Sequence, residues 1–225
     1  MSQIFKDVRW LFFNVGSTLM DETAAHDARA PQVVDAMAEL GVSITMHEWA
    51  EAYEDVFSWA PSRMFEHAVR SFGLSQGDGA VVRGKTTFER SLEVPYTNAR
   101  QTVDTLARYY RLGIIANQSP RLTARLRSQH MAQYFHIVLG SGDVGLSKPD
   151  PEIFQHALML SGYLKGQAVM IGDSTGNDIV PAKALGMKTI RIRQDFTSAI
   201  DPASKAERPD ANIEAIADLV HLLGR

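Results

Sequence analysis

The residues with chemistry to offer fall in four short stretches, and the first carries an anomaly. Leu11, Phe12 and Phe13 are apolar, Asn14 ends their run, and Gly16, Ser17 and Thr18 follow as a small, hydroxyl-bearing turn of the kind that wraps an anion. A second apolar run ends at Ala116 and Asn117, Lys148-Pro149-Asp150-Pro151 opens a helix, and Gly172-Asp173-Ser174-Thr175-Gly176-Asn177-Asp178 runs from strand to helix. These residue types suit a doubly charged phosphate. Lys148 supplies a cation, while backbone amides of the turn and of helix starts supply donors. Magnesium wants oxygens in an octahedron, and Asp173, the side-chain oxygen of Asn14 and the Gly16 carbonyl would give part of one. Asp178 would orient Lys148 or a metal-bound water. Taken singly, each residue also has a plain structural use: a helix cap, a solvated charge, a strand-end turn, a local side-chain bond.

Five apolar runs would position these groups. They span residues 8–15, 112–117, 137–140, 168–172 and 188–192, and each is near-continuous rather than alternating. That is the pattern of a strand covered on both faces, hence of a parallel sheet. Between them lie helix signals: Ser119-Pro120 and Asp150-Pro151 as cap plus first-turn proline, and Gly186 as the stop of a helix from about Gly176. The alternation predicts a doubly wound, Rossmann-like α/β sheet with its site at the carboxyl ends of the strands.

Residues 22–94 break the rhythm. They read as helices over 24–40, 46–59 (behind the capping box Thr45 to Glu48), 62–72 and about 86–92, with the Gly-rich stretch 73–79 as a cap turn. An all-helical insertion after the first strand is expected to be a cap domain, leaving residues 1–21 and 95–225 as the α/β core.

With 225 residues, no Cys and a net charge of −3, the chain excludes a disulfide framework, a thiolate metal site and a cysteine nucleophile. The charges are interspersed and no run approaches a membrane span, so the expected partner is a small molecule, with neither nucleic acid nor membrane, and the expected location is cytoplasmic.

The order of the four stretches, with a helical block between the first and second, resembles the haloacid dehalogenase superfamily of hydrolases with a helical C1-type cap. The resemblance implies that the first stretch corresponds to Asp-x-Asp-x-Thr, whose leading Asp attacks phosphorus; those places are held here by Asn14, Gly16 and Thr18. It implies a phosphate-binding Ser or Thr where this chain has Ala116, followed by Asn117. The family lysine is matched by Lys148, and its Gly-Asp pair with a later acid by Gly172, Asp173 and Asp178. Asn14, Lys148 and Asp178 are then the catalytic positions; Thr18, Ala116, Asn117 and Lys148 the phosphate-binding ones; Asn14, Gly16 and Asp173 the metal ones. The family's dehalogenase branch works without metal and does not need the Gly-Asp pair, so the resemblance favours a magnesium-dependent phosphatase of a small phosphorylated metabolite. A phosphonate-cleaving relative would need a cap lysine, for which Lys85 is the candidate.

The departures qualify that expectation. A carboxamide cannot act as the nucleophile, because its nitrogen lone pair is delocalised and the group is neutral. Gly16 lacks the usual general acid, and Ala116 lacks a hydroxyl. The chain is therefore expected to be weak or inactive, with weak magnesium binding, whether Asn14 replaces an aspartate or marks a natural pseudoenzyme. The alternative is a non-catalytic protein that binds a phosphorylated ligand or a protein partner. Specificity would rest on cap side chains such as Trp49, Trp59, Arg63 and Arg70, although the helical spacing of the aromatics suits cap core better.

Overall fold

A computed structural model of the chain describes residues 3–59, 64–118, 120–194 and 204–224. Its strands are β1 (Trp10–Phe13), β2 (Met20–Asp21), β3 (Val94–Pro95), β4 (Arg111–Ala116), β5 (Phe135–Gly140), β6 (Ala168–Gly172), β7 (Lys188–Ile192) and β8 (Ala211–Ile213). Six of them form a sheet in the order β5-β4-β1-β6-β7-β8, every pair parallel. β2 and β3 make a separate antiparallel pair, Met20 opposite Pro95. The chain divides into two compact units, residues 1–21 with 94–225, and residues 22–93.

The first unit shows why its strands read as unbroken apolar runs. Successive side chains of a strand point to opposite faces, and both faces of β1 are covered. Leu11 and Phe13 join Ile114, Ile171 and Ile190 in one cluster, with Val103 and Leu106 of α5 (Ala99–Ala107) and Leu122 and Leu126 of α6 (Leu122–Ser128). Trp10 and Phe12 join the opposite cluster with Ile115 and Met170, against Ile153, Phe154 and Ala157 of α8 (Pro151–Ser161) and Ala182 of α9 (Val180–Ala184). Among the described residues this unit also holds α7 (Ser141–Val144) and α10 (Asp218–Leu222). α8 starts as its sequence predicts: the Asp150 carboxylate accepts from the Glu152 amide at 2.9 Å, with Pro151 in the first turn. Gly186, with φ of +82°, ends α9, a conformation glycine adopts without strain.

Some boundaries differ from expectation. Ser119 lies outside the described residues, and Pro120 does not open a helix: α6 begins at Leu122, after Arg121 in the left-handed region. The helix expected from Gly176 begins as a π-helical turn over Thr175–Ile179 before α9. β8 was not foreseen; three residues next to polar sequence give too short a periodic signal.

The second unit is helical: α1 (Thr23–Ala38), α2 (Met46–Trp59), α3 (Met64–Ser71) and α4 (Gln76–Gly84). The Thr45 and Glu48 box forms at α2, Glu48 N donating to Thr45 Oγ1 at 3.1 Å and Thr45 N to the Glu48 carboxylate at 2.7 Å. The Gly-rich stretch is not only a turn. Ser75 and Asp78 form a second capping box that starts α4, and Gly79 faces the Glu66 backbone, where a Cβ would make ordinary van der Waals contact. Conversely, the helix expected over 86–92 is only a single 3-10 turn, Arg90–Leu92. Trp49 is buried among Phe65, Tyr53 and Val56, a core residue. Lys85 pairs with Glu39, and Arg70 is exposed. The Trp59 side chain and Arg63 lie outside the described residues.

This unit contains a pH-sensitive packing element. His26 sits 5.0 Å from the Phe88 ring and 5.4 Å from Tyr53. Burial, then the positive charge of Arg29, lowers its pKa to about 4, opposed by Asp27 and reinforced by Arg90. A lowered histidine pKa means that the unfolded chain takes up the proton first. Stability is therefore intact above pH 6.5 and falls as pH drops from there toward 4. Between pH 7 and 5 the loss should reach about 2 kcal/mol, measured by urea unfolding, and His26→Phe should flatten that difference. An unchanged pH slope in the variant would rule His26 out as its source.

Candidate active site

The four stretches meet because the strands are parallel. Asn14 follows β1, Asn117 follows β4, Asp173 follows β6, and Lys148 lies between β5 and α8, so all four stand at carboxyl ends. From β1 the chain passes to β4 and β5 on one side and to β6, β7 and β8 on the other. The reversal beside β1 is where such a sheet opens a crevice.

Asn14 continues the ladder, its amide donating to the Ile171 carbonyl at 2.8 Å. The turn after it is tight: the amides of Thr18, Leu19 and Met20 all donate to the Val15 carbonyl, and Ser17 takes φ of +51°. That turn points the Thr18 hydroxyl at Asp173, to which it donates at 3.0 Å. Gln194 secures the turn from β7's far end, its Nε2 donating to the Thr18 carbonyl at 3.0 Å.

Lys148 is the hub. Its Nζ donates to Asp178 Oδ1 at 2.5 Å and to Asn14 Oδ1 at 2.9 Å. Both members of the ion pair are buried, with side-chain exposures of 2% and 0%. The second Asp178 oxygen accepts from the Ser174 amide at 3.1 Å. Gly172 must be glycine, because a Cβ there would fall on the Asp178 carboxylate. The Lys148 backbone is held by Asn117, which exchanges two bonds with it, Nδ2 to its carbonyl and its amide to Oδ1, both at 2.8 Å. Lys148-Pro149 is a cis peptide.

Two of the expected phosphate-binding positions are engaged within the fold. Asn117 uses its side chain on the Lys148 main chain, so the geometry makes it a clamp for the lysine. Ala116 is fully buried and its methyl joins the core. Two contributors escaped the sequence reading. Arg191, 1% exposed, donates from Nε to the Asp173 carbonyl at 3.1 Å, and an arginine inside the apolar run KTIRI was the available signal. Gln194 offered none.

The three expected metal ligands are neighbours, but they do not present three oxygens to one point. Asn14 Nδ2 donates to the Gly16 carbonyl at 3.0 Å and to Asp173 Oδ1 at 2.7 Å, so an N–H donor stands between the two oxygens. Turning the amide over would set its NH2 against the Lys148 ammonium. Asp173 is the sole carboxylate in the set, and among the described residues no cluster of three or more His, Cys, Asp or Glu side chains is suited to a metal. With the amide in place the residues do not fit a divalent cation. No helix of the described residues is long and apolar enough to cross a membrane.

Comparison with known proteins gives consistent matches. The family model described as haloacid dehalogenase-like hydrolase matches residues 63–192, more than half of the chain. The glyceraldehyde 3-phosphate phosphatase of Methanothermobacter thermautotrophicus is 24% identical over 94% of this chain and 96% of its own length. A HAD-hydrolase of Bacillus subtilis, solved bound to magnesium, superposes with a TM-score of 0.71 at 22% identity, covering 97% of this chain and 99% of that one. A 2-haloacid dehalogenase of Pseudomonas syringae pv. Tomato does so with a TM-score of 0.62 at 24% identity, covering 97% and 99%. At these identities the two structures speak to fold alone.

Proposed function

The chain belongs to the haloacid dehalogenase-like hydrolase family, and we propose that it is a phosphatase-type hydrolase of a small phosphorylated metabolite, held back by Asn14 at the nucleophile position. The observation that carries this reading is the buried Lys148 ammonium, fixed between Asn14 Oδ1 and Asp178 beside Asp173. A phosphoryl group arriving next to Asn14 would meet that cation and the amides of the turn, which stabilise charge on its oxygens. The phosphatase relative acts, by its name, on a small phosphate ester. We carry over that substrate class and not that substrate.

The roles follow from position. Lys148 neutralises phosphoryl oxygens, Asp178 holds Lys148 in place, Thr18 orients Asp173, and position 14 is where attack on phosphorus would start. A carboxylate there could attack, forming an acyl phosphate as the ester oxygen leaves; the carboxamide of Asn14 cannot. Magnesium is the cofactor we assign to a carboxylate form, in which position 14, Gly16 and Asp173 would all be oxygen donors; the amide form should bind it weakly. A second reading, a non-catalytic binder of phosphorylated ligands, is favoured by the hydrogen bonds that already engage both polar atoms of Asn14.

The test compares reaction classes. With magnesium present, Asn14→Asp should release phosphate from an aryl phosphate and no chloride from a 2-chloro acid. Calorimetric titration should show tighter magnesium binding by Asn14→Asp than by the unaltered chain. Chloride release without phosphate release would overturn the phosphatase reading, and neither product would move the binding reading to first place.

A further inference from the structure

We propose that Asn14 is itself a substrate of this site: water hydrolyses its side-chain amide, and the chain converts position 14 to aspartate without another protein. The inference rests on how the amide is held and not on the phosphatase reading. Its oxygen accepts from the Lys148 ammonium at 2.9 Å, so a fixed cation faces the atom that becomes negative when water adds to Cγ. Its nitrogen donates to Asp173 Oδ1 at 2.7 Å, so a carboxylate stands beside the leaving group. Asn14 is only partly buried, unlike its neighbours Phe13 and Val15, so water can approach the residue.

The step balances with water as the sole co-reactant. The water oxygen forms a bond to Cγ, and Asp173 takes up its proton. The tetrahedral oxygen is stabilised by Lys148. Asp173, within hydrogen-bond distance of Nδ2, then delivers the proton to the nitrogen lone pair freed when the amide becomes tetrahedral, and the Cγ–Nδ2 bond breaks with the electron pair leaving on nitrogen. Ammonia departs, and the new carboxylic acid loses its proton to give carboxylate and ammonium. Nothing is oxidised or reduced.

The usual route of asparagine loss does not suit this position. That route needs the next backbone nitrogen to swing onto Cγ and close a cyclic imide, which yields isoaspartate as well as aspartate. Here the next residue is β-branched Val15, 2% exposed, its carbonyl holding three amides of the turn. Direct hydrolysis gives aspartate alone. An oriented cationic donor supplies about 10²–10³-fold and a positioned base about 10²–10⁴-fold. Together they make Asn14 about 10⁴–10⁷-fold more labile to direct hydrolysis than a solvated asparagine side chain.

The experiment is a time course on the full chain at neutral pH in heavy-oxygen water, read by peptide-mapping mass spectrometry. Asn14 should convert to aspartate with one heavy oxygen and no isoaspartate, ahead of exposed Asn98. Asp173→Ala should slow the conversion about 100-fold or more, with folding checked by circular dichroism. Should that variant not fold, the product pattern of the unaltered chain decides alone. An amide retained at position 14 after Asn98 has converted overturns the proposal, as does a mixture containing isoaspartate, or an undiminished rate in folded Asp173→Ala. Conversion without any gain in phosphate release would leave this chemistry standing and remove the phosphatase reading.

Discussion

Asn14→Asp is expected to raise magnesium-dependent hydrolysis of an aryl phosphate by about 10³-fold or more over freshly prepared unaltered chain. The size follows from what is already in place. Lys148 is buried, charged and aimed at position 14, Asp178 fixes it, and Thr18 fixes Asp173. Residues that act as a unit lose nearly everything when the nucleophile goes, so restoring it returns more than its own share. The substitution also exchanges an N–H donor for an oxygen facing the Gly16 carbonyl and Asp173, which is what a divalent cation requires. Gly16 still supplies no proton to the leaving oxygen. Alkyl phosphates should therefore lag aryl phosphates of similar size by about 10²–10⁴-fold, measured as initial rates at saturating magnesium. Equal rates on both would show that another group protonates the leaving oxygen. Rates no higher than those of Asn14→Asp combined with Asp173→Ala would show that Gly16 and Ala116 limit the site more than Asn14 does.

How much of this was legible in the sequence varied with the kind of information needed. Strands buried on both faces announce themselves by composition, and β6 and β7 match the residues expected for them. Their parallel order then brings Asn14, Lys148 and Asp173 together without further information, because strand ends on one edge must be neighbours. Short or glycine-bearing elements were less visible. α4 hid behind three glycines, Gly77, Gly79 and Gly84, a composition that reads as a turn, although Gly79 packs at the Glu66 backbone of α3. The orientation of the Asn14 amide was illegible in principle. It depends on the signs of three partners, an ammonium on one side and a carbonyl and a carboxylate on the other, that arrive from distant parts of the chain. Family resemblance gave position 14 a metal-facing oxygen, whereas the chemistry of a neutral amide gives it a metal-excluding nitrogen. Asn117 is a similar case: its place in the chain suggested a phosphate contact, and the sequence carried no sign of its two side-chain bonds to the Lys148 main chain.

Lys148→Met should destabilise the chain by about 3–5 kcal/mol, because it leaves a buried carboxylate without its cation. Asp178 is fully buried, and besides Lys148 its carboxylate accepts from the Ser174 amide. Its space cannot be relaxed from the strand side, where Gly172 has no Cβ and could accept none. The loss would lower the thermal midpoint by about 10 °C in a protein of this size. The pair itself, however, contributes little net stability, since burying both charges costs nearly what their attraction returns. Lys148→Met combined with Asp178→Asn should therefore regain most of the loss, ending within about 2 kcal/mol of the unaltered chain. Urea unfolding of the two single variants and the double variant measures the coupling directly. If the double variant falls by the sum of the singles, the two residues stabilise the fold independently, and Asp178 is not what holds the lysine in the site. Strong coupling, with phosphate release in the Asn14→Asp background abolished by Lys148→Met but retained by Lys148→Arg, would mean that the pair is kept for the charge it places beside position 14 rather than for stability.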